Sequence, residues 1–251
     1  MKKAQETIEE RARERARLAQ AEYERKVRDR NNKPKGHKGP PIKKPDEEPG
    51  KAEQANLTDP DSRIMRKSRK SEYTQSYNAQ AVVDAEGTML VLGACVTNRT
   101  CDANELVADL ASIPIEIGVP TRVLADNGFA NEKPVQTLQA AGIEVLIPVS
   151  SESTWQERRH DFRPKRAKDI IPVKETPRQL MWIKAMAETM KTDEARRLYR
   201  LRKQSVEPVF GIVKQAMGFR QFLLRGLEKV ELEWELVLCA YNLKRLAVLR
   251  S

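Results

Sequence analysis

The chain has 251 residues, a formal net charge of +10, three cysteines and two histidines, so neither a zinc-ligand set nor a disulfide framework is expected. No apolar run is long enough to span a bilayer, and the charged N-terminus lacks the apolar segment of a signal peptide. Aromatic residues at 5% and charged residues at 33% leave a sparse core for this length, which predicts that part of the chain is extended.

The charge is partitioned. Residues 1–70 carry 21 Lys/Arg against 13 Asp/Glu, residues 71–150 carry 3 against 10, and residues 151–251 carry 22 against 13. An acidic centre between basic flanks suggests a compact domain with extensions that face a polyanion. A solvated cationic surface without a partner would give the same balance.

Residues 1–31 read as one charged helix. They lack Gly and Pro and carry Glu/Arg and Glu/Lys pairs at helical spacing, such as Glu9/Arg13 and Glu22/Lys26. Residues 32–70 hold Pro34, Pro40, Pro41, Pro45, Pro49 and Pro60 among lysines, the composition of a linker. The texture changes at residue 71, where a domain reaching to 251 begins. Ala79 to Val83 and Met89 to Val96, joined through Asp84-Ala85-Glu86-Gly87, predict a β-hairpin with Asp84 as a turn former. Asp102 is expected to cap a helix carrying Leu106, Val107, Leu110 and Ile113. Val123 to Ala125, a helix over 131–141 and Ile143 to Val149 complete an α/β pattern whose later strands are parallel. Residues 150–178 are basic and Pro-containing and read as an insertion.

Beyond it the chain is helical. Pro208 disfavours helical geometry at Glu207, so a break is expected near Ser205, with Ser205 as N-cap and Glu207 in the first turn of the new segment. Lys203 and Lys214 would then share a face with Glu207. A last helix from about Glu228 to Leu249 presents Val230, Leu232, Leu236, Val237, Ala240, Leu243 and Leu246, read as core packing.

Two carboxylates stand in unlike settings. Asp126 ends an apolar run and opens the turn Asp126-Asn127-Gly128, a position where α/β sheets expose polar groups to ligands. An ordinary turn would use the same residues. Glu207 lies in a cationic helix, where a surface ion pair is the plainer use of such an acid. An acid at a strand end and an acid on a basic helix are what metal-dependent phosphoryl transfer on DNA would require.

Five segments, in order, resemble one family. Tyr77 to Asp84, Val96-Thr97-Asn98, Leu124-Ala125-Asp126-Asn127-Gly128-Phe129, Val206 to Lys214 with Gly218-Phe219-Arg220, and Ala240 to Leu246 look like a bacterial DDE-type insertion-sequence transposase. The likeness spans about residues 57–249. It implies a ribonuclease-H-like mixed sheet flanked by helices, with an N-terminal helix and a helical C-terminal part. Asp126 matches the family's second catalytic Asp and Glu207 its catalytic Glu, both as ligands of Mg²⁺ or Mn²⁺. Lys214, Arg202, Lys203 and Tyr199 fall near the phosphate-contacting positions, with Tyr199 and Arg202 one residue out of register and Arg200 in the Tyr register.

No counterpart of the family's first Asp stands before residue 73. The resemblance therefore implies an N-terminally truncated domain lacking its usual first strand, with an incomplete metal site. The implied partners are DNA, as element ends and target, and a second copy or a full-length transposase. The implied setting is the bacterial cytoplasm, at the nucleoid, with no membrane. Two functions follow: DNA strand cleavage and transfer, or an inactive remnant that still binds DNA or transposase.

Overall fold

The protein is described by a computed structural model covering residues 2–32, 40–50, 53–66, 71–149 and 180–250. The basic insertion expected at 150–178 lies outside the described residues. The chain forms two compact units, Met1–Tyr77 and Asn78–Ser251.

In the first unit, α1 (Lys2–Asn31) is the charged helix the Glu/Arg spacing predicts. It buries a narrow stripe, Ala12 and Ala16, because its apolar positions are small and few. Arg15 pairs with Glu53 at 2.9 Å, and Arg11 donates to the carbonyl of Gln54. Two short strands, β1 (Arg63–Met65) and β2 (Thr74–Ser76), pair antiparallel. Beside them the buried carboxylate of Asp59 accepts from the Tyr77 hydroxyl at 2.7 Å.

The second unit is the α/β part. Strands β3 (Asn78–Val83) and β4 (Val91–Thr97) form the expected antiparallel hairpin, with a register shift at Val82/Val83. Asp84 closes its turn by accepting from Glu86 N, Thr88 N and the Thr88 hydroxyl. Burial alone would raise the Asp84 pKa, but these hydrogen bonds outweigh it and hold the carboxyl below its ordinary value. Next come α2 (Leu106–Ala111), β5 (Arg122–Leu124), α3 (Glu132–Ala140) and β6 (Glu144–Leu146). Strands β5 and β6 pair parallel, Val123 opposite Val145, as a strand–helix–strand crossover requires. Leu106, Ala125, Val135, Leu138, Ile143, Val145, Ile147 and Met186 form its core.

Three helical segments follow: α4 (Leu180–Lys191), α5 (Asp193–Gly211) and α6 (Leu227–Arg250). The expected break at Ser205 does not occur. Helix α5 is capped by Thr192, whose side chain accepts from Ala195 N, and it runs through Pro208. Ser205 is not an N-cap: it is buried, and its hydroxyl donates back to the carbonyl of Leu201 at 2.9 Å. Val209 and Val213, both 0% exposed, anchor the helix on either side of Gly211, and that burial offsets the hydrogen bond Pro208 cannot donate. The helix then widens into a π-turn, Ile212–Ala216.

Helix α6 packs through Val230, Trp234, Leu238 and Tyr241. Trp234 Nε1 donates to the Gln80 carbonyl at 2.8 Å, and the Tyr241 hydroxyl donates to Met89 O at 3.0 Å. The Asn242 amide bonds both the N–H and the C=O of Val91, each at 2.8 Å. Leu232, Leu236, Leu243 and Leu246, expected in the core, instead face outward, because the polar anchors Asn242 and Arg245 turn the opposite side of the helix onto the hairpin. No described helix is long and apolar enough to cross a membrane.

Candidate active site

Asp126 stands one residue beyond β5, after Ala125, in extended conformation, where pairing with β6 ends and a short 3-10 turn (Asn127–Phe129) begins. Its Oδ1 accepts from Gly128 N at 2.8 Å, which leaves Oδ2 to face α5. The turn is pinned by Asn127 Nδ2, which donates to the Pro148 carbonyl at 2.7 Å.

Arg202 of α5 connects the two acids. Its Nη2 donates to Asp126 Oδ2 at 3.0 Å, while its Nη1 lies 3.7 Å from Glu207 Oε1. The guanidinium is mostly buried, whereas both carboxylates stay accessible at 44% and 59% side-chain exposure. One planar cation thus spans two carboxylates from distant parts of the chain. Tyr199, one turn before Arg202, shares a hydrogen bond with it. Burial raises the Tyr199 pKa first and the charges of Asp126 and Glu207 add to it, against the opposing pull of Arg202. The uninterrupted α5 is what lets Tyr199, Arg202 and Glu207 converge.

The other two cations stand apart. Lys203 is exposed on α5. Lys214 sits in the π-turn, so its helical phase from Glu207 is not that of a plain α-helix. Its ammonium rests over the Phe210 ring at 5.2 Å.

One acid at this site was read from the sequence only as a helix cap. Asp102 does not cap α2; its Oδ1 accepts from Asn78 Nδ2 at 2.5 Å and from Gln80 Nε2 at 2.9 Å. A side chain at Gly128 would meet both acids, since its Cβ would fall 2.9 Å from Asp126 Oδ1 and 3.2 Å from Asp102 Oδ2. A larger residue here would push the Asp126 carboxylate aside, whereas the backbone angle of Gly128 is not a left-handed one. The readable signal was Asn78 and Gln80 at alternate positions on one face of β3, two amides where apolar residues would be expected.

The donors are carboxylate oxygens, which suit a hard divalent cation, and Arg202 marks a point where positive charge between Asp126 and Glu207 is stabilised. Among the described residues, no three acidic, His or Cys side chains gather closely enough to hold a metal ion. In this arrangement one guanidinium is shared by the two carboxylates and offsets part of their charge.

Residues 51–243 match the family model described as Transposase DDE domain. The chain belongs to the DDE transposase family. No curated protein and no solved structure gives a match. The family assignment makes the mixed α/β unit ribonuclease-H-like, with flanking helices, and supports a transposase function for the domain. Transposases of this family act on DNA and generally use divalent metal.

Proposed function

We propose that this transposase domain cleaves and transfers DNA strands, with Asp126 and Glu207 as its acidic residues and Mg²⁺ or Mn²⁺ as its cofactor. The carrying observation is the Arg202 bridge, which gathers into one site two acids 81 positions apart in sequence. Asp126 and Glu207 would hold the ion, which supplies Lewis-acid stabilisation of charge on the phosphodiester oxygens. Arg202 would turn from the carboxylates to a phosphate oxygen, and its fork of N–H groups suits that contact. Tyr199 positions Arg202, while Lys203 and Lys214 offer further phosphate contacts from the exposed side of α5 and the turn after it. Hydrolysis of one phosphodiester by water leaves a free 3′-hydroxyl and a 5′-phosphate. That hydroxyl then displaces a 3′-oxygen of the target strand, so one bond forms for each bond broken.

A second reading is an inactive protein that retains binding to DNA or to an active transposase. The occupation of the acid pair by Arg202, and the lack of a three-ligand cluster among the described residues, favour it. Incubation with element-end DNA and Mg²⁺ or Mn²⁺ separates the two. Nicking that falls at least about 100-fold in Asp126→Asn and Glu207→Gln supports catalysis. DNA binding without nicking, unchanged by either substitution, supports the second reading.

A further inference from the structure

Asp102 comes up against Asp126 although α2 and β5 lie between them in the chain. Two side-chain amides hold it there: Asn78 Nδ2 and Gln80 Nε2 both donate to its Oδ1, at 2.5 and 2.9 Å. Neither amide takes Oδ2, which lies 3.2 Å from where a Cβ on Gly128 would stand. Asp126 Oδ1 lies 2.9 Å from the same point. The space a side chain would fill is thus what lets the two carboxylates face each other. A second tie keeps their turns together, since Asn131 Nδ2 donates to Asn104 Oδ1 at 2.7 Å.

Two like charges held this way cost free energy unless a cation shares them. Arg202 does not serve both: it meets Asp126 at Oδ2, on the side toward α5, and goes on to Glu207. Among the described residues no Lys or Arg forms an ion pair with Asp102. A purely structural role would be better filled by Asn. That side chain keeps the Oδ1 acceptor for both amides and turns N–H donors, not charge, toward Asp126. The charge therefore has another use, and the group it acts on is Asp126. We propose that Asp102 is a positioning residue of the site: acting through Asp126, its fixed charge strengthens the hold on a divalent cation there. This rests on the proposed cation site at Asp126 and Glu207 and adds to it an acid from the far side of Gly128.

Mn²⁺ titrated into the full chain, with the free ion followed by electron paramagnetic resonance, tests this without DNA or catalysis. Asp102→Asn keeps both amide bonds and removes only the charge. It should weaken Mn²⁺ binding about 3- to 10-fold at low salt without lowering Tm. The deficit should shrink as salt rises toward about 1 M, because the charge acts through space. Gly128→Ala, which wedges the carboxylates apart, should also weaken binding, and Asp102→Asn should then cost less than it does alone. Asp126→Asn, measured alongside, reports on the underlying site. If it weakens binding and Asp102→Asn does not, this inference falls while the site at Asp126 and Glu207 stands. If neither weakens binding, both fall. A loss on Asp102→Asn that salt leaves unchanged, that comes with a lower Tm, or that simply adds to that of Gly128→Ala would mark a structural role and overturn the proposal.

Discussion

Arg202 is the residue on which the site turns. Its guanidinium holds Asp126 and Glu207 at 3.0 and 3.7 Å while remaining largely buried. Arg202→Ala should reduce strand nicking roughly 10–100-fold, and Arg202→Lys should recover little, because an ammonium cannot span two carboxylates bidentately. Parallel nicking time courses check this. Asp109 supplies a second residue-scale prediction. Burial, with lesser help from the charges of Glu105 and Asp102, pushes its carboxyl up to about 6, against the opposing hydrogen bond from the Cys95 thiol. The thiol is itself pushed above its ordinary range by burial and by that same bond. The native state therefore keeps the Asp109 proton in a window where the unfolded chain has lost it. This contribution is present at low pH and is lost as pH rises from about 4 to about 6. Asp109→Asn should stabilise the fold at pH 7.5 by on the order of 1–3 kcal/mol, read as a higher Tm, and give little gain at pH 4. Thermal melts at the two pH values provide the check. A variant no more stable at pH 7.5 would show that the proton on Asp109 carries no stability.

At the scale of elements, α5 and α6 show where sequence patterns suffice and where they fail. The strand–helix–strand alternation and the Asp126-Asn127-Gly128 turn were legible, because each depends on near neighbours and a fixed period. Continuity of α5 was not, because local geometry at Pro208 argues for a break and only the burial of Val209 and Val213 overrules it. Pro208→Ala should restore the missing helix hydrogen bond and stabilise the unit by about 1–3 kcal/mol in denaturant titration. Periodicity correctly made α6 a helix, but it could not say which of two apolar faces was inward. Trp234 and Asn242 decide that, through bonds to Gln80 and Val91 more than 150 positions away. Asn242→Ala leaves both backbone groups of Val91 unpaired and should cost about 1–3 kcal/mol in the same titration. Asp102 was missed for a related reason: its partners Asn78 and Gln80 lie on the far side of the hairpin, where no local rule joins them.

For the whole molecule, the uneven charge and the family match point to a polyanion partner, and two consequences can be measured. Duplex binding should weaken steeply with salt, by a log–log slope of about −0.9 for each phosphate neutralised. An affinity flat between low and physiological salt would contradict an electrostatic footprint. Family membership was legible because five short segments agree in order, whereas the Arg202 bridge needed the folded chain. The account rests on Asp126 and Glu207 acting as one site, and Mn²⁺ binding followed by electron paramagnetic resonance tests that most directly. It predicts one ion per chain, weakened at least about 10-fold by Asp126→Asn or by Glu207→Gln, with the double variant no weaker than the worse single. Two ions affected separately, or binding indifferent to both substitutions, would contradict it.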